Sequence, residues 1–241
     1  MVTAELSPTS TSPSTAIVLA GGELVDEHLA AHDLPDRLPD DAVVIAADSG
    51  LEVATRLGLR VDLVVGDLDS VDPAQLATAQ AAGAQVRSHP AAKDATDLEL
   101  ALGEARDLGV SRVVMVGGHG GRTDHLLAGA LLLGADLLAD VEVVAYLGPA
   151  TLTVVRGSAS LHGRPGEYVS LLALHGPARG ITTDGLLYPL QDEDLVPGST
   201  RGVSNELART TAHLALRAGV LLAVQPGELG THLANQGAPP S

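Results

Sequence analysis

Cysteine is absent from the 241-residue chain, so disulfides and thiolate-bound zinc are excluded outright. That fits a reducing compartment, and the chain is expected to be cytoplasmic. Aromatic side chains are nearly as scarce, with three Tyr, no Phe and no Trp. The core must therefore be built from Leu, Val, Ile and Ala, and functions resting on aromatic platforms, such as stacking on single-stranded nucleic acid, are disfavoured. Positive charge is short as well: 14 Lys and Arg stand against 30 Asp and Glu, a formal net charge of -16. With no basic run longer than a pair, the chain lacks a phosphate-binding face for nucleic acid, and a phosphate ligand would need the help of a metal. The longest uncharged apolar stretch, residues 126–135, falls far short of the roughly 20 residues a membrane helix needs, so no membrane partner is expected.

What is present is a globular composition, 45% hydrophobic, long enough for one large domain or two modest ones. Residues 1–15 are rich in Ser, Thr and Pro without a basic leader and read as a disordered tail rather than a signal peptide. From 16 to 149, short β-branched runs at 16–20, 43–46, 63–65, 85–87, 112–116 and 141–146 alternate with Ala/Leu-rich helical stretches. This alternation predicts an α/β domain with a mostly parallel sheet and helices on both faces, whose ligands bind beyond the carboxyl ends of the strands. From 150 to 225 the runs are short and separated by Gly/Pro-rich turns, which predicts a smaller all-β sandwich; residues 226–241 read as a loose tail.

The predicted strand ends carry Gly or Asp. Asp48 follows the second run, Asp67 and Asp69 the third, Asp94 and Asp97 the fourth, and Asp124 lies beyond the fifth. In an extended backbone residues two apart face the same side, so Asp67 and Asp69 can address one hard cation. The alternative is a solvated turn in which Asp69 and Ser70 cap the helix that follows. Residues 93–108 have helical periodicity, with Thr96 and Glu99 spaced as a capping box. That leaves Lys93 as a phosphate anchor and Asp97 as a further metal ligand. The Gly-rich segment 117–121 suits an anion but misses the dinucleotide fingerprint, and no P-loop motif occurs. Arg122 can meet phosphate bidentately, while Asp124 suits a first helical turn. His119 and His125 raise zinc, but the oxygen-rich surroundings favour magnesium. Ser204 and Asn205, after a glycine, offer hydroxyl and amide groups to a small polar ring or form an ordinary loop.

Taken together, Asp48-Ser49-Gly50, Gly66-Asp67-Leu68-Asp69-Ser70, Lys93-Asp94-Ala95-Thr96-Asp97-Leu98-Glu99 and Gly120-Gly121-Arg122-Thr123-Asp124-His125 resemble the motifs of thiamine pyrophosphokinases. Gly185-Leu186-Leu187-Tyr188-Pro189-Leu190 and Gly202-Val203-Ser204-Asn205-Glu206 extend the resemblance into the second half. It implies a homodimer, ATP as co-substrate, Mg²⁺ as metal and thiamine as acceptor, with thiamine diphosphate and AMP as products. It further implies that Asp48, Asp67, Asp69, Lys93, Thr96, Asp97, Arg122 and Asp124 surround ATP and metal. The metal would fall to Asp67, Asp69 and Asp97, and thiamine contact to Ser204 and Asn205. Asp48 and Asp97 are both candidates for accepting the hydroxyl proton. Glu52 and Gly129 stand where family members commonly have Asn. The alternatives are a pyrophosphokinase for another hydroxymethyl heterocycle, such as a pterin, and a non-catalytic nucleotide- or thiamine-binding module.

Overall fold

Strand β1 (Thr15–Ala20) is buried along its whole length, which requires cover on both faces of the sheet. Alternation of its side chains divides that cover in two. Ala16, Val18 and Ala20 enter one apolar cluster with Ala101, Leu102, Ala105 and Leu133, while Ile17 and Leu19 enter another with Leu51, Val53, Ala54 and Leu57. Each large aliphatic side chain removed from water in this way contributes about 1.5–3 kcal/mol. The computed structural model describes residues 14–90, 92 and 94–227.

The remaining strands of this half are β2 (Val43–Ala47), β3 (Leu63–Gly66), β4 (Gln85–Ser88), β5 (Arg112–Gly117) and β6 (Glu142–Leu147). The helices are α1 (Asp26–His32), α2 (Gly50–Leu57), α3 (Pro73–Ala81), α4 (Asp97–Asp107) and α5 (Thr123–Leu133). The six strands lie in the order β4-β3-β2-β1-β5-β6, all parallel. The chain winds outward from β1 to β4, then returns to the other side of β1 as β5. The strand order thus reverses between β1 and β5, and sheets of this kind bind ligands beyond the carboxyl ends of their strands near such a point.

The sheet does not end at β6. Across Gly148, whose φ of 57° makes a tight turn, β7 (Ala150–Val155) pairs antiparallel with β6, and the ladder continues through β13 (Ala218–Gln225) to β9 (Tyr168–Asp184). Where the sequence pattern shows only short runs broken by turns, residues 168–184 form one 17-residue strand. Its first half pairs with β13, and its last residues pair with β12 (Thr211–Ala215), which in turn pairs with β8 (Ser158–His162). A register shift opposite Ala218–Val220 and left-handed backbone at His175 (φ 57°) and Gly180 (φ 63°) bend the strand between its two partners. Short strands β10 (Glu193–Leu195) and β11 (Asn205–Glu206) complete this β-rich region on β9.

Strand β13 shows how the two halves share one core. Leu221 and Ala223 pack with Leu161, Ala212 and Leu214 of the second β layer, whereas Leu222 packs with the cluster beneath α4 and α5. Of the expected tails, residues 1–13 and 228–241 lie outside the described residues, and Thr15, expected in the first tail, opens β1 with only 6% exposure. Among the described residues no helix is long and apolar enough to cross a membrane.

Candidate active site

Of the acids at the strand ends, Asp48, Asp67, Asp69 and Asp97 line one cleft beyond the carboxyl ends of the strands, whereas Asp94 and Asp124 are not in its lining. Asp48 follows β2 in left-handed backbone (φ 46°), pinned by its N–H donating to the Val65 carbonyl of the neighbouring strand end at 2.8 Å. Asp67 follows β3 directly, and Asp97 is the first residue of α4, where the helix dipole favours an anion. One carboxylate oxygen from each of Asp48, Asp67 and Asp97 lies within 4.8 Å of the other two. Gly66 makes the approach possible: a Cβ there would stand 3.0 Å from Asp97 Oδ1 and 3.1 Å from the Asp48 Cβ.

Asp69 lines the same cleft, but its carboxylate is not in the group of three. The same-side rule for residues two apart holds in extended backbone; here Leu68 turns left-handed (φ 65°) and re-aims the residue after it. Asp48, expected beside the nucleotide rather than on the metal, takes the third position. The capping alternative for Asp69 and Ser70 also gives way. Helix α3 is capped by Asp72, which accepts from the Ala74 N–H at 2.8 Å, with Pro73 at the first helical position. Ser70 instead donates its hydroxyl to Asp48 Oδ2.

The electrostatics suit a cation. The Asp67 carboxylate beside it, followed by desolvation, raises the Asp69 pKa above the ordinary carboxylate value. Asp48 is 9% exposed, and its Oδ1 is buried with no hydrogen-bond partner among the described residues. A buried, orphaned carboxylate oxygen is costly unless a further partner satisfies it. Three carboxylates with no sulfur or imidazole in the group are a donor set for a hard divalent ion such as magnesium. Of the two histidines that raised zinc, His125 lines the cleft, whereas His119 packs edge-on against His28 with ring centroids 5.4 Å apart.

The cleft has a volume of about 540 Å³. Its acidic end is continued by the loops after β1 and β5, zipped together by Gly118 N–H to Gly21 C=O at 2.8 Å and Glu23 N–H to His119 C=O at 2.7 Å. Its other wall is apolar, with Leu98 of α4 facing Ala128, Gly129 and Leu132 of α5. Leu98 belongs to the Lys93–Glu99 motif and Gly129 to a position the resemblance marks, whereas Ala128 and Leu132 carry no motif and only the helical spacing of α5 hints at them. Thr96 lines the cleft while its Oγ1 accepts from the Glu99 N–H at 3.2 Å, the expected cap. Arg122 also lines it, and its guanidinium forks onto Asp124, Nε to Oδ1 at 3.2 Å and Nη2 to Oδ2 at 2.6 Å. That bond holds the Asp124 carboxyl down at about 2. Lys93 lies outside the described residues.

Ser204 and Asn205 are not part of this lining. Ser204 is exposed, with left-handed backbone (φ 58°) and its N–H on Ser170 Oγ at 3.2 Å. Asn205 is buried and spends its amide locally. Its Oδ1 accepts from the N–H groups of Tyr188 (3.0 Å) and Glu206 (2.9 Å), and its Nδ2 donates to the Tyr188 carbonyl (2.7 Å). It clamps the Tyr188-Pro189 turn beside Ser204.

Comparison with known proteins gives a consistent match across both halves. The family model "Thiamin pyrophosphokinase, catalytic domain" matches residues 35–143, and "Thiamin pyrophosphokinase, vitamin B1 binding domain" matches residues 158–221. A thiamine pyrophosphokinase of Bacillus subtilis (strain 168) is 23% identical over 201 residues, covering 80% of this chain and 91% of the relative. Among solved structures, a thiamine pyrophosphokinase from Bacillus subtilis superposes with a TM-score of 0.75 at 23% identity, covering 89% of this chain and 99% of the other. One from Geobacillus thermodenitrificans superposes with a TM-score of 0.70 at 26% identity, covering 88% and 96%.

Proposed function

The chain belongs to the thiamin pyrophosphokinase family, and from that premise we propose that it transfers the pyrophosphoryl group of ATP to the hydroxyl of thiamine, giving thiamine diphosphate and AMP. The observation that carries the donor half of this reading is the group formed by Asp48, Asp67 and Asp97 in the cleft, together with the orphaned Oδ1 of Asp48.

These three carboxylates would hold Mg²⁺. When bound, the ion supplies charge neutralisation to the phosphate oxygens, which lets so acidic a chain accept a polyanion. In the transfer itself the thiamine hydroxyl oxygen forms a bond to the β-phosphorus in line, and the bond from that phosphorus to the α,β-bridging oxygen breaks, so that AMP leaves with the oxygen. Positioning and charge stabilisation do most of the work in such reactions. Arg122 would exchange its contact with Asp124 for a phosphate, and the helix start at Thr96 and Asp97 would flank the polyphosphate. Lys93, three residues before Thr96 in the sequence, would add positive charge. Asp69, at the edge of the cleft, would adjust the field around the metal, and Asp48 or Asp97 would take the hydroxyl proton.

Ser204 and Asn205 would serve thiamine, Ser204 by contact and Asn205 by shaping the Tyr188 turn. Because neither lines the cleft that holds the acids, we take the working unit to be a homodimer in which the β-rich half of one copy completes the cleft of the other. The lack of cysteine and the dependence on ATP suit the cytoplasm.

The test is product analysis. Purified protein with ATP, Mg²⁺ and either thiamine or a pterin alcohol should release AMP with thiamine alone. ADP in place of AMP overturns pyrophosphoryl transfer, AMP with the pterin alcohol reassigns the acceptor, and binding without AMP from either makes the chain a non-catalytic module.

A further inference from the structure

The hydroxyl of Ser70 has no part in the helix that follows it. Asp72 caps α3 through the Ala74 N–H, so Ser70, two residues earlier, is released from the most common use of a serine before a helix. Its Oγ instead reaches across from the β3 loop to the β2 loop and donates to Asp48 Oδ2.

That bond has a consequence for the other oxygen. The backbone of Asp48 is fixed independently, by its left-handed conformation and by the N–H bond to Val65. What remains free is rotation of the side chain, about Cα–Cβ and about the bond to the carboxyl group. With Oδ2 held by Ser70, the plane of the carboxylate is set. Oδ1 is then the oxygen left buried and without a hydrogen-bond partner among the described residues. A carboxylate with one oxygen tied back by a hydroxyl and the other buried without a partner, in a residue grouped with two further acids, has the arrangement of a metal ligand oriented from behind. In the absence of the tie, the carboxylate can turn to hydrate both oxygens, and the repulsion of Asp67 and Asp97 favours that turn.

We propose that Ser70 is a positioning residue: through its hydrogen bond to Asp48 Oδ2 it holds Asp48 Oδ1 in place as a ligand for the divalent cation shared with Asp67 and Asp97. This rests on the reading of the three acids as the metal site. It assigns to the final residue of Gly66-Asp67-Leu68-Asp69-Ser70 a task that neither capping nor direct substrate contact describes. Because Ser70 is exposed, its replacement should leave the fold intact.

Four full-length proteins decide the matter: the native chain, Ser70→Ala, Ser70→Thr and Asp67→Asn. Mn²⁺ binding without nucleotide is followed by the loss of the free-ion electron paramagnetic resonance signal, the Mg²⁺ requirement of AMP release is measured at saturating ATP, and melting temperature is recorded in EDTA. The expected result is a metal affinity about tenfold weaker in Ser70→Ala, with a matching rise in the Mg²⁺ required. Ser70→Thr, which keeps the hydroxyl, should restore both, and the melting temperature in EDTA should be unchanged. Native affinity in Ser70→Ala alongside lost binding in Asp67→Asn overturns the role of Ser70 and leaves the metal site standing. Unchanged binding in both variants overturns the metal site and the proposal together. A threonine variant as weak as the alanine, or an equal fall in metal-free melting temperature, also overturns it, because the hydroxyl-to-Asp48 bond would then not be the cause.

Discussion

His32 is one of very few polar side chains buried in this fold, 5% exposed at the end of α1. Its Nε2 donates to the Gly148 carbonyl at 2.8 Å, Thr151 Oγ1 stands 3.4 Å from Nδ1, and the Tyr146 ring lies 4.8 Å away. Desolvation by burial lowers its pKa from the model-peptide value of 6.5, outweighing the carbonyl bond that raises it, and Arg37 and His28 lower it further. A histidine with a depressed folded pKa binds protons more readily in the unfolded chain. Its contribution to stability is therefore complete above the unfolded value and is lost as pH falls through 6.5 towards the folded value. Urea unfolding between about pH 7.5 and about pH 5.5 should show the native chain losing stability on acidification more steeply than His32→Gln. Parallel pH profiles for the two proteins would refute the assignment. Asn205 sits at the same scale. Removing its amide strands the N–H and C=O of Tyr188 and the N–H of Glu206, so Asn205→Ala should destabilise the chain by about 2–3 kcal/mol in urea. A change in thiamine KM without that loss would mean that the amide serves the ligand directly.

At the scale of elements, α3 buries none of its residues fully, so its ends depend on local chemistry. Asp72→Ala removes the side-chain acceptor for Ala74 and should cost about 1 kcal/mol. The expected signature is faster hydrogen exchange confined to the first turn of α3, with little change elsewhere; uniform acceleration across the sheet would contradict it. The Asp72-Pro73 pair that makes this cap is written in the sequence, whereas Asp69 and Ser70, beside the strand end, have the composition of a cap without acting as one. The central parallel strands were legible for a plain reason: buried on both faces, they are continuous apolar runs, whereas β4, QVRS, is an exposed edge strand. Strands β8 and β12, SASLH and TAHLA, do alternate outward, mostly polar residues with inward apolar ones, but over only five residues each and with Ala at one inward position of each, a run too short to stand out. The joining of two runs into β9 was hidden as well, since a bend at His175 and Gly180 reads as a turn when only sequence is in hand. Within the cleft, the strand-end acids were legible one by one. Which three converge was not, because that depends on Leu68 leaving the extended conformation and on Ser70 reaching Asp48.

The strands among the described residues form one hydrogen-bonded sheet whose two ends carry different chemistry. The acids cluster at the parallel end, and the Ser204–Asn205 turn sits on the β-rich end, outside the lining of the acidic cleft. Strand β13 packs into both cores, so a hinge that folds one end onto the other within a chain would have to break a shared interior. A second copy related by a two-fold axis can bring the ends together without deforming either, since a closed dimer presents each surface to its counterpart. The prediction is complementation. Asp67→Asn disables the acidic end and Ser204→Arg blocks the exposed turn, so each homodimer should release little AMP. After the two are mixed in equal amounts and allowed to exchange subunits, half of the dimers should be mixed, each with one of its two sites intact. Activity should therefore rise to about a quarter of the native value. Failure to rise, with subunit exchange verified by mass spectrometry of differently tagged chains, would mean that each cleft draws its acceptor contacts from its own chain. A native chain that sediments as a monomer at assay concentration would lead to the same conclusion by a shorter route.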